Sequence, residues 1–146
     1  MNGAVVVALF NAIDEGDFAR AKSCLSDDFT RSSTLHPDPM DGDTWLGQLK
    51  LIEPLFSDVS HNTAITAEDG EEVRGTVQLT GCHTGRTTLP ALSHLTPTGK
   101  RFSLPPEPFV ARVREGRIVT IHVAMGEGGG LPGIIKQLTG GPDDGT

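Results

Sequence analysis

Val5, Val6, Leu9, Phe10 and Ile13 recur at three- and four-residue spacings, which predicts an amphipathic helix over residues 3–15, stopped by Gly16. Asp17 is placed to cap a second short helix with apolar positions Phe18, Ala21, Cys24 and Leu25, ending at Ser26-Asp27-Asp28. Phe29-Thr30-Arg31 then begins an extended segment. Pro37 and Pro39 make residues 35–42 a loop, since proline removes a donor and biases its predecessor away from helix. Asp43 is expected to cap a third helix carrying Trp45, Leu49, Ile52 and Phe56 on one stripe, with Pro54 kinking it or ending it early. From Val59 onward the pattern changes to that of strands.

Residues 61–67 read as a strand, Glu68-Asp69-Gly70 as a tight turn, and residues 72–83 as one long strand with a period of two. Val73, Gly75, Val77, Leu79, Gly81 and His83 share the inward face. A Pro/Thr/Gly crossover from Leu89 to Arg101 leads to a strand at 107–113, where Glu107, Phe109, Ala111 and Val113 point in. On a last strand, 118–125, Val119, Ile121, Val123 and Met125 point in, with Thr120 and His122 opposite. Three apolar faces thus converge, and the titratable side chains on them are His83 and Glu107. Residues 126–133 read as a flexible glycine loop, Ile134 to Leu138 as a short apolar helical turn, and 139–146 as a disordered tail. Helices first and antiparallel strands afterwards indicate an α+β arrangement, a curved sheet around an N-terminal helical cap, leaving a concave pocket beside the third helix.

Composition narrows the function. A chain of 146 residues fits one domain, taken as 1–138, with a core large enough to enclose a small-molecule cavity. The net charge of −7 and the scatter of 12 basic residues argue against nucleic acid and anionic membranes as partners. No apolar run approaches the roughly 20 residues of a membrane span, and the N-terminus lacks a basic segment, so a cytoplasmic location is expected. Cys24 and Cys82 read as two reduced thiols. No pair of His or carboxylate residues has ligand spacing on one element, so no metal is expected.

The ordered set Leu55-Phe56-Ser57-Asp58, Gly81-Cys82-His83-Thr84-Gly85, Pro97 to Phe102, Phe109-x-x-Arg112-Val113-x-x-Gly116-Arg117-Ile118 and Gly133-x-x-x-Gln137-Leu138 resembles the SnoaL-like polyketide cyclases of the nuclear transport factor 2-like superfamily. The resemblance runs in matching order from Phe10-Asn11 to Gln137-Leu138. It implies a cone-shaped curved antiparallel sheet with a deep central pocket, no cofactor, and a homodimer or homotetramer formed through the sheet face. The activity it implies is intramolecular ring closure of a hydrophobic polyketide-type intermediate by an acid/base aspartate.

That aspartate's position falls at Val123, and the tryptophan beside it at His122. The family's pocket-facing glutamine and histidine positions fall at Glu107 and Phe109, next to an insertion at Pro105-Pro106. The carboxylate has therefore moved one strand over, to Glu107, or been lost. In an apolar pocket Glu107 would have a raised pKa suited to general acid/base work, with His83 orienting or polarising a substrate oxygen. Alternatively Glu107 sits exposed at the start of its strand beside Lys100 or Arg101, and His83 bonds a neighbouring backbone at the crossover. Trp45, Phe29, Phe56, Leu79, Phe109, Val123 and Met125 are expected as core or substrate-contacting wall, and Arg31 as a residue holding a carbonyl or carboxylate, or else a rim salt-bridge partner. His36 and Asp38 lie near the expected pocket mouth, and Glu127 on the glycine loop. His61 and His94 read as a strand start and a loop without a chemical role, and His122 as an outward-facing residue. Two function classes follow: a cofactor-independent cyclase or isomerase of natural-product biosynthesis, acting by aldol closure, epoxide opening or conjugate addition, and a non-catalytic ligand-binding or assembly module that kept the pocket without the base.

Overall fold

A computed structural model describes residues 2–86, 96–126 and 128–138. Helix α1 (Asn2–Asp14) buries Val6, Leu9, Phe10 and Ile13, the stripe their spacing dictates. Asp17 accepts from the Arg20 amide at the start of α2 (Phe18–Ser23). That helix is shorter than its pattern implies: Cys24 is its cap, and Leu25 already belongs to β1 (Leu25–Ser33). After a two-residue strand β2 (Met40–Asp41), α3 (Gly42–Ile52) is capped by Asp41, whose carboxylate accepts from Thr44 N at 2.8 Å. Asp43 lies inside the first turn and pairs with Lys22. Pro54 does end the helix, through a 3-10 turn at Glu53–Leu55, so Phe56 opens strand β3 (Phe56–Ser60).

Strand β4 (Ala64–Asp69) starts later than expected, and the chain turns at Gly70-Glu71. The single strand expected over 72–83 is two, β5 (Glu72–Val77) and β6 (Thr80–His83), which join different sheets. The alternation nonetheless survives the break, because Val73, Gly75, Val77, Gly81 and His83 are all buried. Strand β7 (Arg101–Ser103) emerges from the crossover, followed by β8 (Glu107–Arg114), β9 (Arg117–Val123) and α4 (Gly130–Leu138). The expected glycine loop is thus partly helical. Residues 87–95 and 139–146, including His94 and the expected tail, lie outside the described residues, as does Glu127.

The larger sheet has the order β2-β1-β9-β8-β5-β4 and the smaller one β3-β6-β7. Among the described residues all pairings are antiparallel except β1 with β9, where the first and last long strands run side by side. The architecture is the expected curved, unclosed α+β sheet with helices at its N-terminal side. Arg112 pairs with Thr120 but Val113 with Ile118, so Val119 is an extra residue, a bulge that reverses side-chain parity. Ile118 is therefore fully buried and Val119 only half-buried, the reverse of the uninterrupted alternation.

Two apolar clusters result among the described residues. The larger packs α1, α2 and α3 on the six-stranded sheet; the smaller contains Phe102, Leu104, Ile134 and Leu138. Gln137 ties α4 to β7 by accepting from Ser103 N at 3.0 Å and donating to Ser103 O at 2.9 Å. No helix among the described residues is long and apolar enough to cross a membrane.

Candidate functional site

A cavity of about 550 Å³ opens between the two clusters. Its walls come from α1 and α3, from β1, β3, β8 and β9, and from the start of α4. Of the side chains the sequence singles out, Glu107, Arg31, Trp45, Phe56, Leu79, Val123 and Met125 lie on that wall, together with His36.

Glu107 points inward because β8 alternates without interruption, and it is 6 % exposed. One carboxylate oxygen, Oε2, accepts from the amide of Gly130 at 3.2 Å, which places the carboxyl at the N-terminal end of α4, where the helix dipole favours negative charge. Burial nevertheless pushes its pKa above the usual glutamate value, an effect only partly offset by the Gly130 amide and by the Arg31 guanidinium. It is not a strand-start surface residue paired with Lys100 or Arg101, and Arg101 reaches toward Asp58 instead, at 3.7 Å.

Arg31 lies with its guanidinium 5.6 Å from the centre of the Trp45 ring. Its Nε is buried and has no hydrogen-bond partner among the described residues. Burial lowers its pKa while Glu107 opposes the shift; an arginine remains charged under such pressure. A buried guanidinium with an unused donor is suited to an oxygen acceptor on a ligand.

Phe29 and Phe109, expected as core or wall, and His83, expected to orient a substrate oxygen, are not among the lining residues. Phe29 is buried behind Trp45, with ring centroids 5.7 Å apart. Phe109 is opposite Gly75 in the β5–β8 pairing, and its ring folds over that glycine, where a Cβ would come 2.8 Å from it, and packs against Phe10. His83 is not on the cavity wall: it is fully buried, in edge contact with Phe56, which does line the cavity. Its Nδ1 accepts from the Thr98 amide at 3.3 Å and meets Thr98 Oγ1 at 3.1 Å, the backbone-bonding arrangement at the crossover. An inward-facing position on β6 faces the smaller cluster, which parity alone cannot distinguish from the cavity.

The wall also holds a pair not expected from the sequence, Asp14 and His61. Asp14 Oδ1 meets His61 Nδ1 at 2.5 Å, and Oδ2 accepts from the His61 backbone N at 2.9 Å. The signal for it was present: Asp14 stands four residues beyond Phe10, extending the buried row of α1 by one turn. Among the described residues no group of three or more His, Cys, Asp or Glu side chains converges as a metal site.

No family model matches the sequence, and no curated protein matches it. Solved structures do match. AclR from Streptomyces galilaeus, a provisionally assigned hydroxylase, superposes with a TM-score of 0.76 at 18% identity, over 97% of this chain and 83% of its own. A provisionally assigned SnoaL-like polyketide cyclase from Jannaschia sp. CCS1 gives 0.71 at 14% identity, over 97% of this chain and 93% of its own. The fold is that of the SnoaL-like polyketide cyclases. IdmH from Streptomyces antibioticus, also a provisionally assigned polyketide cyclase, gives 0.67 at 22% identity, over 84% of this chain and 90% of its own. At these identities what SnoaL-like proteins share with this chain is the fold, and the site must be judged on its own residues.

Proposed function

We propose that this protein is a cofactor-independent cyclase or isomerase that closes a ring in a hydrophobic, polyketide-type intermediate by general acid/base catalysis. The observation that carries the reading is Glu107, a carboxyl buried in the wall of a largely apolar cavity, with its pKa raised. A carboxyl that holds its proton more tightly than an ordinary glutamate can give it to a substrate oxygen as a bond forms, a contribution of roughly 10²–10⁴ in rate. Arg31 would hold an oxygen of the same substrate, and Trp45, Phe56, Leu79, Val123 and Met125 would exclude water from the apolar remainder. The shared fold supports this class of chemistry.

The test is incubation with a panel of linear poly-β-ketone esters, scoring products of unchanged mass and altered retention. Trp45, the single tryptophan of the chain, reports occupancy by fluorescence quenching. Glu107→Gln should lose turnover by at least about 100-fold and still bind; an undiminished rate refutes the mechanism. A second reading, a non-catalytic binding or assembly module, draws on Val123, an apolar side chain on the wall where the resemblance expects the acid/base aspartate. It requires saturable quenching of Trp45 by compounds that the wild-type protein never converts.

A further inference from the structure

We propose that Asp14 and His61 form the base of this same cavity, and that its substrates are carbon acids, molecules with an acidic C–H beside a carbonyl whose oxygen Arg31 receives. The inference rests on the cavity being an active site and assigns the half of the proton transfer that Glu107 does not supply.

His61 is held from several sides. Asp14 takes both its backbone amide and its Nδ1, and the His61 carbonyl accepts from Gln78 N at 2.7 Å. Phe10 packs on the imidazole with centroids 4.9 Å apart. The next residue, Asn62, has φ of 45°, and Asp58, three residues before, has φ of 53°, both in the left-handed region that non-glycine residues rarely occupy. Asn62 is kept there by its side chain, which donates to Gln78 O at 2.8 Å. Asp58 sits at the β3–β6 bulge, where Ser57 pairs with Cys82 and Ser60 with Thr80. Strain on both sides of a polar pair is maintained only by such over-determination. With Nδ1 engaged by a carboxylate, the proton sits there and Nε2 is the lone-pair nitrogen, on the far side of the ring from Asp14. Both side chains are 15% exposed and both line the cavity. Glu107 is within electrostatic reach of His61 and of Arg31. The other ionisable groups on the wall are His36, Glu53 and Asp58.

The step balances within the pocket. His61 Nε2 takes the C–H proton and becomes an imidazolium paired with Asp14. The C–H electron pair moves to the carbonyl oxygen, giving an enolate beside the Arg31 guanidinium. The enolate carbon then bonds to an electrophilic carbonyl carbon of the same molecule, the π pair of that carbonyl goes to its oxygen, and the Glu107 carboxyl protonates that oxygen. Transfer of the proton from imidazolium to the Glu107 carboxylate through water restores both groups, and substrate and product are isomers. His61 is the catalytic residue of the pair; Asp14 is a positioning residue.

The probe is 5-nitrobenzisoxazole, which needs only a base: removal of its C3 proton forms the nitrile as the N–O bond breaks, releasing a coloured phenolate. Wild-type protein should turn it over saturably above buffer. His61→Gln should lower kcat/KM by about 100-fold or more with unchanged Trp45 quenching by the probe, and free imidazole should restore turnover to His61→Ala. Asp14→Asn should lower kcat more than it raises KM and displace the pH at which the rate is half-maximal. If His61→Gln leaves turnover intact while Glu107→Gln lowers it, the assignment is overturned and the carboxyl of Glu107 is itself the base. Absence of wild-type turnover with the probe bound also overturns it. The role of Glu107 as acid is judged separately, by ring closure, so the two readings can fail independently.

Discussion

Substituting Gly129 by alanine places a methyl group on Glu107. Gly129 is buried, and an added Cβ there would overlap Glu107 Oε2 while lying 3.3 Å from the carboxyl carbon and 3.2 Å from Gly126 O. Its φ is outside the left-handed region, so alanine meets no backbone strain and the whole effect is the overlap. Two responses are open. The carboxyl can turn away and forfeit its bond from Gly130, a loss of about 1–3 kcal/mol. Otherwise the start of α4 must move off Glu107, an overpacking cost also of about 1–3 kcal/mol. The responses are alternatives, so Gly129→Ala should lose about 2 kcal/mol, a drop of roughly 4–10 °C in Tm for a chain of this size. Glu107→Ala vacates the space, and in the double variant the methyl group should cost little. The two substitutions should therefore couple by about 1–2 kcal/mol in urea denaturation. Additivity within about 0.5 kcal/mol, or a Gly129→Ala variant that melts within about 2 °C of wild type, would refute this account of how α4 holds the carboxyl.

Burial raises the folded-state pKa of Glu107, so its stabilising contribution is present below the ordinary glutamate value of about 4.3 and is lost as pH rises through the folded value. Glu107→Gln should therefore gain Tm over wild type at pH 8 and lose that advantage toward pH 4, about 1.4 kcal/mol for each unit of elevation; a pH-independent difference would reject the burial argument. Arg31→Met keeps the apolar stem beside Trp45 but removes the donors, and should weaken a carbonyl-bearing ligand by roughly 10–100-fold in Trp45 titrations, while equal affinity would show that the guanidinium binds no ligand. His83→Asn should destabilise the protein by about 1–3 kcal/mol, through the lost Thr98 contacts, yet leave ligand affinity within about twofold, since His83 is not among the residues that line the cavity.

Periodicity carried the architecture because the helices and strands that matter bury one continuous face. The row from Val6 to Ile13 on α1 and the alternation of β8 allow a single orientation each, and Glu107 follows from the second. Where the chain departs from a uniform repeat, parity misleads: the bulge at Val119 and the break at Gln78-Leu79 leave no signature in apolar spacing, because half-buried residues are tolerated at both. His83 and Phe109 show a further limit, in that an inward direction does not say which interior is met. The Asp14–His61 pair was hidden because its members are 47 residues apart and join only when α1 crosses the end of β3. One half, a carboxylate on an apolar helix row, was nonetheless visible at Asp14.

The division of the interior into two clusters makes the occupant of the cavity part of the folding unit. Phe56, Leu79, Leu104 and Ile134 face the cavity from the smaller cluster, and Ile13, Trp45 and Val123 from the larger. In the free protein, β7 and α4 rest on a nucleus of few residues, so their amides should exchange with deuterium through a local opening well below the global unfolding free energy. A molecule lodged between the clusters would make apolar contact with both. At about 100 times its Kd it should slow that exchange roughly 100-fold in α4 and β7, so that the C-terminal helix becomes as durable as the sheet only in the loaded protein.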